Sequence, residues 1–140
     1  MIDISTDKSR LQRDRIHGWL ASTYWSPGIS RDLVERAIAG STCVGAYRDG
    51  VQIGFARAIT DGATFAWLAD VFVDEAARGQ GIGRAMVSHL TDLPELAGLR
   101  RWMLATRDAH SVYAPLGFAP IDQIADYMIR RPAAAPEPTA

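Results

Sequence analysis

The sequence predicts an α+β domain, a mixed and mostly antiparallel sheet with helices on its faces. Three observations carry this. Along the chain the patterns run strand, two helices, three strands in a row, helix, strand, helix, strand. The three consecutive strands are joined at Asp49-Gly50, a strong hairpin pair, and at the turn "TDGA", which makes them a meander. The length, 140 residues, is that of one domain able to bury its own core.

Each element has its own signal. "MIDIS" is a short strand. Residues 9–23 place Ile16, Trp19, Leu20 and Thr23 on one helical stripe, which "WSPGIS" then breaks. Ser30 is a candidate N-cap for a second helix carrying Leu33, Val34, Ala37 and Ile38, and Gly40 stops it. "TCVGAYRDGVQIGFARAIT" supplies two strands and "TFAWLADVFV" a third. From Gly81 to about Leu93, the residues Ile82, Met86, Leu90 and Leu93 share one face of a helix. "RRWMLAT" is a further strand, and "DAHSVYA" a short helix ended by Pro115. "GFAPIDQIADYMIRR" is expected to add one or two strands. The domain is thus expected over residues 1–131, with 132–140, rich in proline and alanine and without periodicity, as a disordered tail.

Bulk properties exclude several functions. The net charge of −1 gives no field that would draw the chain to nucleic acid or a membrane surface. No apolar run approaches the ~20 residues of a membrane span, and the N-terminus lacks the layout of a signal peptide, so a cytoplasmic location is expected. The single cysteine, Cys43, cannot form an internal disulfide and lies in an apolar strand, where an inert buried thiol is expected. His17, His89 and His110 show no ligand spacing, so no metal site is indicated.

The chemistry begins at "DEAARGQGIGRAM", residues 74–86. Its glycines fail the dinucleotide fingerprint, because the third position would be Arg84 or Met86, and it lacks the lysine of a P-loop. What remains is R-x-x-G-x-G, Arg78 to Gly83, after a strand and opening a helix. Absent side chains let a ligand approach the backbone. The unpaired N–H groups and partial positive charge of the helix start form an anion cradle suited to a pyrophosphate, supplemented by Arg78 and Arg84.

"LADVFVDEAARGQGIGRAMV" (68–87) resembles the coenzyme-binding core of the GNAT N-acetyltransferase superfamily. "TRDAHSVYAPLGF" (106–118) is similar to a second segment of that family, matching at Ala109, Tyr113, Gly117 and Phe118. It departs from the family at Thr106, where asparagine is frequent, and at Pro115. The resemblance spans about residues 2–131. It implies a GNAT fold, splayed at the acyl-CoA site, with acetyl-CoA as cosubstrate and no metal. The pyrophosphate would rest on the backbone of Arg78, Gly79, Gln80, Gly81, Ile82, Gly83 and Arg84. The pantetheine arm would pair with the strand at Val71, Phe72 and Val73. The implied reaction is direct acetyl transfer to a primary amine of a small molecule, with Tyr113 protonating the leaving thiolate and a backbone N–H near Val71 or Phe72 facing the oxyanion. Two alternatives stay open: an acyl-CoA-sensing module without turnover, and acetylation of a protein amine. A homodimer is compatible with either.

The acceptor side rests on Asp70. Strand parity puts Leu68, Asp70 and Phe72 on one face, with Trp67, Ala69 and Val71 opposite. Both faces are largely apolar, so the carboxylate is expected away from open water. There it could bind an ammonium group, act as a base with a pKa raised by burial, or pair with an arginine such as Arg57. Tyr24, Trp25 and Trp67 are candidates to line a pocket for an aromatic or cationic acceptor.

Overall fold

The computed structural model describes residues 1–132. Its sheet has five strands in sequence order, β1 (Asp3–Ser5), β2 (Thr42–Arg48), β3 (Val51–Thr60), β4 (Phe65–Val73) and β5 (Arg101–Met103). The first four pair antiparallel, and β5 joins β4 in parallel. Asp49 and Gly50 both take positive φ, 51° and 79°, as the tight turn between β2 and β3 requires. Asp61 closes the next turn by accepting from the backbone N–H groups of Ala63 and Thr64 and from the Thr64 hydroxyl. Those bonds hold its carboxyl well below the usual carboxylate range.

Helices cover both faces. The first, α1 (Arg13–Ala21), is shorter than its apolar stripe suggested, because a 3₁₀ turn takes Lys8–Arg10 and Gln12 begins the helix. Ser30 caps α2 (Arg31–Ala39) by accepting from the Leu33 N–H at 3.1 Å. These two helices enclose Ile16, Leu20, Val34, Ile38, Cys43 and Phe55 on one face. On the other, α3 (Ile82–Thr91) buries Ile82, Met86, Val87 and Leu90 against Val44, Ala46, Ala56 and Leu68. The short α4 (His110–Tyr113) extends this second layer.

Residues 118–132 form no strand, contrary to expectation, and carry only a 3₁₀ turn at Ile124–Asp126. A strand needs a partner ladder, Pro120 removes one donor, and the aspartates at 122 and 126 disfavour the extended pairing. Ile124, Met128 and Ile129 are consequently exposed. Of the tail expected at 132–140, residues 133–140 lie outside the described residues. Among the described residues no helix is long and apolar enough to cross a membrane.

Candidate active site

The site exists because β4 and β5 separate. They pair only over Phe65–Trp67 and Arg101–Met103. Beyond that point β4 keeps β3 on one side and, among the described residues, has no strand on the other, so the edge from Leu68 to Val73 has no strand partner there. The opposite wall is Leu104 to Ala109, leading into α4. The cleft between them measures about 1360 Å³.

The glycine loop closes one end. Gly79 and Gly81 adopt φ of 80° and 76°, left-handed values that other residues resist. A Cβ at either position would meet nothing within 4 Å, so the space above both is open. Gly81 is the N-cap of α3 and offers no side-chain cap. The first bond across the helix start comes from the Ala85 N–H to the Gly81 carbonyl, which leaves the N–H groups of Ile82, Gly83 and Arg84 to face a ligand. Arg78, Gly79, Gly81, Ile82, Gly83 and Arg84 all line the cleft, as do Val71, Phe72 and Val73. Gln80 does not; its side chain accepts from Arg48 at 2.6 Å. The Ile82 side chain is buried in the core, so only its backbone is available. Arg78 folds back, donating from Nε to the Val73 carbonyl at 2.9 Å, with its guanidinium 5.2 Å from the Phe72 ring centre.

Tyr113 lines the same cleft from α4. Its ring is buried and meets Phe118 edge-on at 6.0 Å. Among the described residues its hydroxyl has no hydrogen-bond partner. Burial pushes its pKa up, and Tyr24 adds to the rise. Thr106 shapes the entry to α4, its Oγ1 accepting from the Ala109 N–H at 3.0 Å.

Asp70 departs most from expectation. Its φ is +55°, and the pairing of β3 with β4 shifts register there, between Phe55 and Arg57. The bulge breaks strand parity. Leu68, Val71 and Val73 pack beneath α3, whereas Phe72 stacks on Trp19 of α1 and Asp70 meets Arg57 and Trp25. The predicted grouping of Leu68 with Asp70 and Phe72 therefore fails. Of the roles left open for the carboxylate, the structure shows the pair with Arg57. Arg57 Nε lies 2.6 Å from Asp70 Oδ2, with both side chains mostly buried, and Trp25 Nε1 donates to Oδ1 at 2.9 Å. Arg57 in turn donates to the Ser41 hydroxyl.

The loop between α1 and α2 touches both walls. Trp25 reaches β4 through Asp70, while the Tyr24 hydroxyl accepts from the Arg107 N–H at 3.1 Å across the cleft. The Arg107 guanidinium lies 4.0 Å from the Tyr24 ring centre. Trp67 lines the same cleft. Arg107 and Ser41 were not singled out from the sequence, since both act through partners distant along the chain. Among the described residues no group of three or more His, Cys, Asp or Glu could hold a metal.

A strand edge opening onto a glycine-capped helix, with a tyrosine across the gap, defines an acyltransferase cleft. The comparisons agree: residues 9–118 match the acetyltransferase (GNAT) family, and the chain belongs to that family. It is similar to a crystal structure from Xanthomonas campestris pv. campestris, provisionally assigned as a GNAT acetyltransferase. The two share 45% identity and a TM-score of 0.90, over 94% of this chain and 93% of that one. A Gibberella zeae protein provisionally assigned as an acetyltransferase is 34% identical over 126 residues, 75% of this chain and 71% of its own. A Clostridium acetobutylicum structure, solved with acetyl-CoA, shares the fold at 14% identity with a TM-score of 0.70, covering 94% of this chain and 96% of that one.

Proposed function

We propose that the protein transfers the acetyl group of acetyl-CoA to a primary amine of a small molecule, by direct attack with both substrates bound. The observation that carries this reading is the continuity of the cleft. The free β4 edge, the glycine loop and Tyr113 all line one space. At about 1360 Å³ that space exceeds the roughly 300–1,000 Å³ of an ordinary small-ligand pocket, which suits two substrates at once. The acetyl-CoA carried by the Clostridium acetobutylicum structure of the same fold supports the choice of cosubstrate.

Backbone N–H groups of Gly79 to Arg84 receive the pyrophosphate, and Val71 to Val73 receive the pantetheine arm as an added strand. The neutral amine nitrogen adds to the acetyl carbon, the C–S bond breaks as the tetrahedral adduct collapses, and the surplus proton on nitrogen passes to water. A backbone N–H at Val71 or Phe72 faces the developing oxyanion. Tyr113 gives its proton to the leaving thiolate. A thiol of pKa about 8.5 against a phenol of about 10 makes that transfer only mildly uphill. Burial raises the tyrosine further, which keeps it protonated but makes the transfer somewhat more uphill.

Calorimetry with acetyl-CoA, followed by thiol release across a panel of amines, tests the reading. Binding with thiol release in the presence of one amine class is expected. Binding without release from any amine would instead indicate an acyl-CoA sensor.

A further inference from the structure

Resting on the acetyl-transfer reading above, we infer that the acceptor enters as a neutral, weakly basic amine on a flat aromatic body, an arylamine or aryl hydrazine rather than an alkylammonium ion. The argument starts from the two carboxylates that line the cleft, Asp70 and Asp108. Asp70 already has its cation in Arg57 at 2.6 Å, and its other oxygen accepts from Trp25. Capturing an ammonium there would mean displacing a largely buried guanidinium. Asp108 is exposed and follows Arg107. Four arginines line the cleft, Arg57, Arg78, Arg84 and Arg107. Once a pyrophosphate answers Arg78 and Arg84, the acceptor side keeps two charges of each sign, with no negative excess to draw a cation. The other titratable groups facing it are the phenols Tyr24 and Tyr113.

What the acceptor side does offer is aromatic surface. Tyr24 and Trp25 are 44% exposed, yet both are held in place, by the Arg107 N–H and the Asp70 carboxylate. Their rings meet edge to face at 5.0 Å, and Trp67 also lines the cleft. Exposed rings fixed by hydrogen bonds form a platform whose ordering cost is already met before binding.

The proton balance points the same way. An alkylamine of pKa near 10.4 is neutral in only about one molecule in a few thousand at pH 7. Asp70 is engaged by Arg57, and the other cleft carboxylate, Asp108, is exposed to water, so neither is a desolvated base for that proton. An amine that titrates below neutrality arrives ready. As the new C–N bond forms, the surplus proton on nitrogen passes to water, and Tyr113 protonates the thiolate. Lower intrinsic nucleophilicity offsets part of this gain. Asp70 is then a positioning residue, holding Trp25 through one oxygen.

Thiol release from acetyl-CoA, measured from about pH 6 to about pH 10 with ring-matched pairs, tests the inference. Each pair sets an arylamine or aryl hydrazine against the corresponding arylalkylamine. At pH 7 the weakly basic member is expected to lead by roughly tenfold or more in kcat/KM. For the alkyl member kcat/KM should climb about tenfold per pH unit up to that amine's own pKa, with the same slope in Asp70→Asn. If Asp70→Asn fails to fold, Trp25→Phe keeps the ion pair, and should raise the arylamine KM several-fold without altering the slope or acetyl-CoA affinity. Preference for the alkyl member at pH 7, or a wild-type plateau below its pKa that Asp70→Asn abolishes, overturns the inference and leaves acetyl transfer standing. Release with neither class, while acetyl-CoA still binds, removes both readings.

Discussion

Tyr113 lines the cleft, with a buried ring and a hydroxyl that has no protein partner among the described residues. A tyrosine serving only as packing would be indifferent to losing its oxygen. Tyr113→Phe should lower kcat on the order of 10²-fold where chemistry limits the rate, with acetyl-CoA affinity unchanged. Wild-type kcat in that variant would reduce the residue to a core contact. Because burial raises its pKa, the acid stays protonated as pH rises through the whole physiological range, so kcat should show no alkaline fall below pH about 10. Cys43 offers a contrasting case: burial beneath α1 and α2 pushes its pKa to about 11, and it should resist thiol reagents until the protein unfolds. Rapid labelling of the native protein would contradict that. Asp70 shows what a sequence conceals at this scale. An acid late in an apolar strand was legible as unusual, and the need of a buried carboxylate for a cation was sound physics. Its positive φ, and the choice of Arg57 over a substrate, depend on a register shift that period-two reasoning cannot see.

At the scale of elements, the parts with local signals were readable. Asp49-Gly50 encodes its turn, Ser30 caps its helix, and the spacing of Ile82, Met86 and Leu90 turns α3 onto the sheet. The backbone geometry of the glycine loop was readable for the same reason, since Gly79 and Gly81 take left-handed φ values that missing side chains permit. The aromatic clasp of Tyr24 and Trp25 was visible only as residue types, because its partners lie 83 and 45 residues away. The C-terminal strand signal misled because pairing is not a local property. One packing feature ties fold to site. Gly54 of β3 lies between Ala46 and Val73 in the sheet, and a Cβ there would come within 2.9 Å of Met86 Cε. The atoms met are the flexible end of the Met86 side chain, but that side chain is fully buried and must shift within the core. Gly54→Val should therefore overpack the α3 interface and destabilise the fold by about 1–3 kcal/mol. Since α3 carries the glycine loop, acetyl-CoA affinity should weaken as well. An unchanged urea midpoint would show that the interface can absorb the extra volume.

For the molecule as a whole, the separation of β4 from β5 means that the native sheet is left incomplete along Leu68 to Val73. A ligand that pairs with this edge and rests on α3 joins the two halves of the domain, and it can do so only in the folded state. Binding to the native state alone stabilises by about 2.7 kcal/mol at a hundredfold excess over Kd. For a chain of 140 residues that corresponds to a rise in Tm of roughly 5–10 °C. Gly81 separates this effect from simple backbone strain. At φ of 76°, with open space above it, the position tolerates asparagine and aspartate better than other side chains, at a cost of about 1 kcal/mol for each. Gly81→Asn and Gly81→Asp should therefore melt a little below wild type by similar amounts without ligand. With acetyl-CoA they should diverge, because only the aspartate sets a negative charge against the pyrophosphate at a helix start that favours anions. Thermal melts should show part of the stabilisation retained in Gly81→Asn and almost none in Gly81→Asp. If Gly81→Asp gains as much as wild type, the pyrophosphate lies elsewhere and the glycine loop is only a turn.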